Sequence, residues 1–462
     1  MFTSSNGSGC GAKTPCGSES MSGSSQPVRV LYSFPHKLGA GRICYTAWQQ
    51  VNGLAAAGAE VLVFPGVLHR PLPANVAVRP TLARGGWHIP YRLLGTLRAC
   101  ALHDFIVARR LQALAGKIDV VHTWPLAALH TVRAAARLGI PSVLERPNAH
   151  TRFAYQVVLQ ECERLGVELP PDHEHAWKPA VLAREEEEYR QAYRLLCPSD
   201  FVVQTFLQQG FPRERLLRHE YGFDETTFYP ESRPHAPRRG LTVLFAGVCA
   251  VRKGLHFALQ AWLRSPAHLD GAFLIAGEFL PAYARKLAYQ LSQPSVRVLG
   301  NRNDLPELMR QSDVLVLPSI EEGYGLVCAE AMGSGCEPAR SPPRCWAAPG
   351  HRSAASEEGY GLVCAEAMGS GCVPLVSDAC TEICVHMGNA LVHRVSDVEA
   401  LTRHFTMLHQ DRDLLRRLHA ACLRDAPHHT WTAAGVTLLQ AYRQAIAEKA
   451  ADAVPSELQL CA

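Results

Sequence analysis

The sequence predicts an α/β protein built from two doubly wound, Rossmann-like halves. Short apolar strands alternate with amphipathic helices, a polar stretch interrupts the alternation near the middle of the chain, and the alternation then resumes. Buried strands that alternate with helices form parallel sheets covered on both faces. The chain has 462 residues and a hydrophobic content of 47%, which is enough for two domains with their own cores.

The first half opens after a polar tail. Residues 1–26 are rich in Ser and Gly, and we expect them to be disordered because they bury too little apolar surface. Val28–Phe34 is a predicted strand that leads through a glycine loop and a helix to Gly58 and a second strand, Glu60–Phe64. This is one βαβ unit. The pattern repeats from Ile118–Trp124 onward, through GIPSVLERP and YRLLCPSDFVVQTF.

The second half follows the polar stretch ESRPHAPRRG, which we interpret as a linker. Its predicted strands are LTVLFAGV, GAFLIAGE, SVRVLGN, DVLVLPS and VPLVSD, and a long amphipathic helix, HHTWTAAGVTLLQAYRQAI, closes the chain. The predicted organisation is a tail at 1–26, a first domain at 27–230, a linker at 231–240, a second domain at 241–430, a terminal helix at 431–448 and a tail at 449–462.

The composition excludes several classes of protein. A net charge of +4 with 19% charged residues is not the clustered basic excess of a nucleic-acid-binding protein. The 16 cysteines lack paired CxxC spacing, and Cys380 and Cys384 stand without a second pair, so we expect no zinc site. No signal peptide and no run of ~18 apolar residues is found, so we predict a reduced, cytoplasmic protein. Its oligomeric state is not predicted.

The sixteen residues EEGYGLVCAEAMGSGC occur twice, at Glu321–Cys336 and at Glu357–Cys372. Each copy contains two glutamates separated by seven residues, namely Glu322 and Glu330, then Glu358 and Glu366. The segment between the copies, 337–356, has four prolines and no periodicity, so we expect exposed irregular chain.

Two candidate anion-binding groups follow predicted strands, at the sheet edge where doubly wound folds bind ligands. Gly39 and Gly41 follow the first strand, where missing side chains let backbone N–H groups approach an anion; a plain tight turn is the alternative. Arg252 and Lys253 precede a helix in the second half, where two cations would hold a diphosphate. A solvated pair of cations is the alternative there.

The loop after the strand VLVLP is the third candidate. Glu322 would face the cleft from this loop, a helix would begin near Leu326, and Glu330 would lie just over one turn into it. The N–H groups expected to point at the same spot are those of Gly325, Leu326 and Val327, or of Gly361, Leu362 and Val363 in the second copy. Carboxylates accept hydrogen bonds from sugar hydroxyls and N–H groups donate to phosphate, so this loop suits a nucleotide sugar. A capped helix with two surface acids is the alternative.

The chain resembles the retaining glycosyltransferases of family four, which have the GT-B architecture of two facing Rossmann-like domains. The strongest similarity is the Glu-x7-Glu motif with its flank, SDVLVLPSxEEGYGLVxxEAMGSGxVPLVSD. GLAAAGAEVLV, DVVHTWPLA, LGIPSVLERPNAHT, PSDFVVQTF, YGFDETTFYP and FAGVCAVRKG are also similar. The resemblance runs from Val28 to Ile446.

The resemblance implies transfer of a sugar from a UDP-, GDP- or ADP-sugar donor, with retention, to a glycan, a lipid-linked sugar or a small molecule. The 39–41 loop would meet the donor phosphates. Arg252 and Lys253 would neutralise the leaving diphosphate, so that no metal is expected. Glu322 would hold the donor-sugar hydroxyls, and Glu330 would bind the nucleotide ribose. A role in cell-envelope or polysaccharide biosynthesis is expected.

Three further features each have a functional and a structural interpretation. His150, in ERPNAHT, matches a family histidine near the donor sugar, and a capping or core histidine is the alternative. Asp172–His175 carries metal-capable side chains, but we expect a surface loop because no further ligands are evident. The helix within RGGWHIPYRLLGTLRACALHDFIVARR interleaves basic and aromatic residues. We favour a core-facing helix over a peripheral membrane contact.

Only one copy of the duplicated motif can occupy the site. Either Glu322 and Glu330 occupy it and 337–372 loops out, or Glu358 and Glu366 occupy it and 321–356 loops out. We favour the first copy because it keeps Ile320 against the incoming strand. The spare apolar helix competes for the native position. The alternative function is therefore a catalytically impaired GT-B protein with a scaffold role.

Overall fold

The computed structural model describes residues 26–41, 43–84, 87–88, 94–230, 240–324 and 372–453. Two parallel sheets dominate this part of the chain, one in the first half (to residue 230) and one in the second half (from residue 240). The predicted pair of Rossmann-like sheets is confirmed. The predicted insert at 337–356, most of the linker (231–239) and the first 25 residues lie outside the described ranges.

The first half contains a seven-stranded sheet with the order β3-β2-β1-β6-β7-β8-β9. Its strands are β1 (Arg29–Leu38), β2 (Glu60–Leu68), β3 (Ala77–Val78), β6 (Val120–Thr123), β7 (Ser142–Glu145), β8 (Arg194–Cys197) and β9 (Leu216–Arg218). A separate antiparallel pair is formed by β4 (Ala83–Arg84) and β5 (Trp87–His88). The helices are α1 (Ile43–Ala56), α2 (Thr96–Gln112), α3 (Leu129–Arg137), α4 (Thr151–Leu165), α5 (Pro179–Gln191) and α6 (Asp200–Gln208).

Strand β1 is longer than the predicted 28–34. It continues to Leu38 because its pairing with β2 resumes at Lys37 and Val67 after a register shift that follows Phe34. The extended part of the strand contains His36, which lines a cleft. Helix α2 buries Ala99, Cys100 and Leu111, as the favoured core-facing interpretation of this segment predicts.

The second half contains a six-stranded sheet with the order β12-β11-β10-β13-β14-β15. Its strands are β10 (Thr242–Ala246), β11 (Ala272–Ala276), β12 (Val296–Gly300), β13 (Val314–Leu317), β14 (Val373–Ser377) and β15 (Leu391–His393). The helices of this half are α7 (Leu255–Arg264), α8 (Pro281–Lys286), α9 (Ala288–Leu291), α10 (Leu305–Arg310), α11 (Val398–Gln410) and α12 (Arg412–Asp425). No helix in the described ranges has the length and apolarity needed to cross a bilayer.

The terminal helix α13 (Trp431–Asp452) returns to the first half. Its Leu438, Tyr442 and Ala445 are buried in the same core as β1 and α1. Gly53 and Gly435 let the two helices touch, since a Cβ added to Gly435 would lie 2.4 Å from the Gly53 carbonyl carbon. Because α13 is helical through Asp452, the predicted start of the tail at 449 is wrong.

Candidate functional site

A cleft of about 760 Å³ lies where the carboxyl ends of the two sheets face each other. From the first half it is lined by His36 of β1 and by residues that follow β6 and β7, including Trp124 and Arg146. From the second half it is lined by residues that follow β10 and β13, including Arg252 and Glu322. This is the edge at which parallel sheets of this type bind ligands.

Arg252 and Lys253 end a short 3-10 turn, Val251–Lys253, between β10 and α7. The turn stops at Gly254, which has a φ of +65°, a value that favours glycine. A Cβ on Gly254 would lie 1.9 Å from the Pro318 carbonyl oxygen. The glycine therefore lets the start of α7 press against the end of β13, which brings both cations beside the loop that follows β13.

The carboxylate of Glu322 contacts both Arg252 and Lys253. The ammonium of Lys253 forms an ion pair with its Oε2, and Arg252 Nη1 lies 3.7 Å from its Oε1. Ser319 Oγ also donates to Oε2, at 3.1 Å. Burial raises the pKa of this carboxyl, but the charges of Lys253 and Arg252 outweigh burial and hold the pKa below its ordinary value. The structure thus brings three predicted site residues together as a charged cluster at the cleft wall.

The backbone of the next residue touches the first half. A Cβ on Gly323 would lie 1.7 Å from the Pro147 carbonyl oxygen, and Ser199 Oγ donates to the Gly323 carbonyl. The Tyr324 ring makes an edge contact with Tyr221, with centroids 5.7 Å apart. The loop after β13 is therefore one part of the second half that contacts the first half at the cleft.

Two residues at this meeting point were missed by sequence reasoning. Glu321 is fully buried and accepts a hydrogen bond from the Ala149 N–H at 3.2 Å. His175 Nε2 lies 3.4 Å from Glu321 Oε2. The expectation of a surface loop is wrong for His175, which is only 6% exposed. The adjacent acids of the motif and the His-Glu-His loop were visible in the sequence, but nothing local indicated that they would meet.

The structure does not place His150 in the cleft. Its side chain caps α4 by accepting from the Arg152 N–H at 3.2 Å, and its ring packs against Tyr189 and Phe206. Burial, with lesser effects from Arg146 and Arg152, lowers its pKa to about 3, so the imidazole is neutral. In the structure His150 is therefore a capping, core histidine, and its neighbours Ala149 and Thr151 line the cleft. Its proximity to the donor sugar stays a prediction.

The predicted phosphate loop forms a tight turn in the structure, and its contact with donor phosphates stays a prediction. The N–H of Gly39 donates to the Cys44 carbonyl at 2.9 Å, so it is already used within the loop. Gly39 has a φ of +86° and packs on Arg70, to whose Cβ an added Cβ would lie 2.7 Å. These constraints explain the glycine as part of a tight turn. Gly41 is exposed and is not among the cleft residues.

The first-half wall of the cleft carries its own polar cluster. Arg146 is buried, lies 3.3 Å from Glu185 Oε1 and stacks over the Tyr189 ring at 4.5 Å. Thr151 Oγ1 donates to the other Glu185 oxygen. Tyr155 adds an aromatic surface to the same wall. This cluster offers a carboxylate, a hydroxyl and a ring, which are groups that bind the hydroxyls and faces of polyols.

Several predicted donor-binding residues lie outside the described ranges. In the first copy these are Glu330, Gly325, Leu326 and Val327, and in the second copy they are Glu358, Glu366, Gly361, Leu362 and Val363. The part of the motif seen at the cleft, 321–324, follows β13 and belongs to the first copy, whereas Cys372 of the second copy leads into β14. In the described ranges no group of three or more His, Cys, Asp or Glu side chains could hold a metal ion.

Comparisons with known proteins agree with this architecture. A family model described as Glycosyltransferase Family 4 matches residues 45–225, and one described as Glycosyl transferases group 1 matches residues 240–337. A D-inositol 3-phosphate glycosyltransferase of Xylanimonas cellulosilytica is 26% identical over 328 residues, which is 62% of this chain and 71% of that protein. Two other curated relatives match over only 25% and 18% of their own length.

Solved structures show the same fold at low sequence identity. The sucrose-phosphate synthase of Thermosynechococcus elongatus has a TM-score of 0.60 and 16% identity, covering 92% of this chain and 100% of that one. Anabaena HepE in complex with UDP and glucose has a TM-score of 0.53, 16% identity and the same coverage. The chain is thus a GT-B protein. Its first half matches the model described as Glycosyltransferase Family 4, and its second half matches the model described as Glycosyl transferases group 1.

Proposed function

We propose that this protein is a retaining glycosyltransferase that moves a sugar from a nucleotide-diphosphate sugar to a hydroxyl-bearing acceptor. The observation that carries the proposal is the meeting of Arg252, Lys253 and Glu322 on one wall of the cleft. Breaking the anomeric bond builds negative charge on the diphosphate and positive charge at the sugar carbon. Fixed cations beside the diphosphate stabilise that separation.

Each member of this cluster has a role in the proposal. Arg252 and Lys253 neutralise the leaving diphosphate, which makes a metal unnecessary. Glu322 accepts hydrogen bonds from hydroxyls of the donor sugar. Its low pKa favours this role, because the carboxyl is ionised at neutral pH and acts only as an acceptor. Retention follows from the family resemblance, in a front-face reaction in which a donor phosphate oxygen takes the proton of the acceptor hydroxyl.

The first-half wall supports an acceptor rich in hydroxyl groups. Glu185 and Thr151 face the cleft opposite the cations, and Tyr155 supplies a ring for an apolar sugar face. UDP is the first nucleotide to test, since the fold relative HepE is described in complex with UDP and glucose. Experiment then assigns the base and the sugar of the donor. It also decides whether the acceptor is a glycan, a lipid-linked sugar or a small molecule.

The test uses a matched pair of variants that the duplication provides. Glu322→Gln and Glu358→Gln change the same residue in the same local sequence. We expect Glu322→Gln to lower kcat for UDP release from UDP-glucose about 10- to 100-fold, since one charge-assisted hydrogen bond contributes roughly 1.5–3 kcal/mol. Glu358→Gln should retain the wild-type rate.

Two results would contradict the proposal. Loss of turnover in Glu358→Gln alone would assign the site to the second copy of the motif. If the wild-type protein releases no UDP from UDP-glucose, and no nucleotide or nucleotide sugar in a panel raises its melting temperature, the enzyme function is wrong. The scaffold alternative would then be the better explanation of the fold.

A further inference from the structure

Glu321 has an unusual position for an acidic side chain. It is 0% exposed, and a buried carboxylate is costly unless it is paired and hydrogen-bonded. It belongs to the second half, yet two of its partners come from the first: the Ala149 N–H at 3.2 Å and His175 Nε2 at 3.4 Å. Its third partner is Arg252 Nη1, at 3.5 Å. One carboxylate therefore connects the loop that carries His175, the segment between β7 and α4, and a cation of the second half.

We propose that Glu321 and His175 form a bridge across the cleft that closes the two halves and aims Arg252 at the leaving diphosphate. The proposal rests on the proposed function, because it assigns the diphosphate to Arg252. Glu321 and His175 act through Arg252 and are positioning residues. The sugar–phosphate bond breaks beside Arg252 and Glu322. The bridge takes no part in that step and only positions these two side chains.

The contacts of Arg252 explain why Glu321 is the residue that aims it. Arg252 Nη1 lies 3.3 Å from the Glu321 carbonyl oxygen and 3.5 Å from its carboxylate. Two other carboxylates lie farther from the guanidinium, Glu322 at 3.7 Å and Glu174 at 3.8 Å, and the Glu174 side chain is 67% exposed. An exposed ion pair contributes little because water screens it. The buried Glu321 therefore fixes the guanidinium more strongly than Glu174 does.

The groups that face His175 determine how the bridge responds to pH. From its own loop these are His173 and Glu174, and from the second half they are Arg252 and Glu321. Burial lowers the pKa of His175, but the neighbouring carboxylates of Glu174, 3.5 Å from Nδ1, and Glu321, 3.4 Å from Nε2, outweigh burial and raise the pKa above its ordinary value. Below that raised pKa the imidazolium attracts Glu321 across the cleft. As the pH rises through it, the attraction is lost.

A double-mutant cycle tests the bridge. Glu321→Gln and His175→Asn are each expected to lower kcat/KM for UDP-glucose about tenfold or more. The kcat/KM of the double variant should be no lower than that of the less active single variant. Glu357→Gln, the same substitution in the second copy of the motif, is the control and should keep the wild-type value. Additive losses in the double variant would show that the two side chains act independently and would overturn the bridge.

A pH profile separates positioning from a merely structural role. The kcat/KM of the wild-type protein should fall as the pH rises through the raised pKa of His175, and this alkaline limb should be missing in His175→Asn. An unchanged limb in that variant would mean that another group causes it and that His175 does not control the bridge. Far-UV circular dichroism of each variant checks that the fold is retained.

Closure is measured without turnover, so failure of the proposed function leaves the bridge testable. Small-angle X-ray scattering compares the radius of gyration of Glu321→Gln with that of Glu357→Gln. We expect a larger radius for Glu321→Gln, since the two first-half partners of the carboxylate are weakened. Equal radii would overturn the bridge even if the protein proves to be an active transferase.

Discussion

The substitution Gly323→Ala should open the cleft. The added Cβ would lie 1.7 Å from the Pro147 carbonyl oxygen and 3.2 Å from Asn148 Oδ1. Gly323 belongs to the second half and Pro147 to the first, so the clash lies between the halves. Cβ atoms essentially never come closer than 3.0 Å to such an atom, so the backbones must separate by at least 1.3 Å. The nearby hydrogen bonds across the cleft, from Ser199 Oγ and from the Ala149 N–H, would lengthen with it.

The size of the effect follows from this clash. Overpacking of a close contact costs typically 1–3 kcal/mol. Applied to the equilibrium between open and closed forms, this cost reduces the ratio of closed to open molecules about 5- to 150-fold. We therefore expect kcat/KM for UDP-glucose to fall by a similar factor, while the helix content and the cores of the two halves remain intact.

Gly359→Ala is the control, because it places the same methyl group in the same EEGYG context of the second copy. It should retain the wild-type kcat/KM and the wild-type radius of gyration. If Gly323→Ala is as active and as compact as Gly359→Ala, then the contact between Gly323 and Pro147 does not set closure. That result would refute the reasoning from this contact.

Two further predictions concern buried histidines. His150→Asn keeps an oxygen that can cap α4, so UDP release per folded molecule should change less than threefold; a loss of 100-fold or more would restore a catalytic role. His122 is buried beside Glu145, and burial lowers its pKa to about 3. Because the unfolded chain binds a proton between pH ~6.5 and that value and the folded chain does not, acid should lower the free energy of unfolding by up to about 1.4 kcal/mol per pH unit. Urea unfolding of wild type and His122→Gln should show a shallower slope in the variant, and equal slopes would contradict the assignment.

The sequence was most informative where chemistry is local. Apolar runs of strand length located β10 and β13, and the charged pair Arg252 and Lys253 was recognised from its place between a predicted strand and a predicted helix. Their convergence with Glu322 follows from a general rule, that the carboxyl ends of parallel strands share one edge. The rule required no knowledge of side-chain contacts.

Long-range contacts were beyond sequence reasoning. Glu321 and His175 are far apart in the chain, and neither has a local pattern that distinguishes a buried partner from a surface acid or a loop histidine. Gly39 illustrates the converse problem, because a glycine after a strand serves a tight turn as well as a phosphate. Only its φ of +86° and the bond from its N–H to Cys44 decide for the turn.

The return of α13 to the first half has a consequence for the mechanics of the molecule. The polypeptide passes from one half to the other twice, once after residue 230 and once at Trp431. Two connections restrict the rotation of one half relative to the other more than a single connection would. The second crossing also means that the halves are not separable at the midpoint. A fragment ending at residue 230 would lack Leu438 and Tyr442, which share a core with β1 and α1, and would expose the apolar surface that these side chains cover.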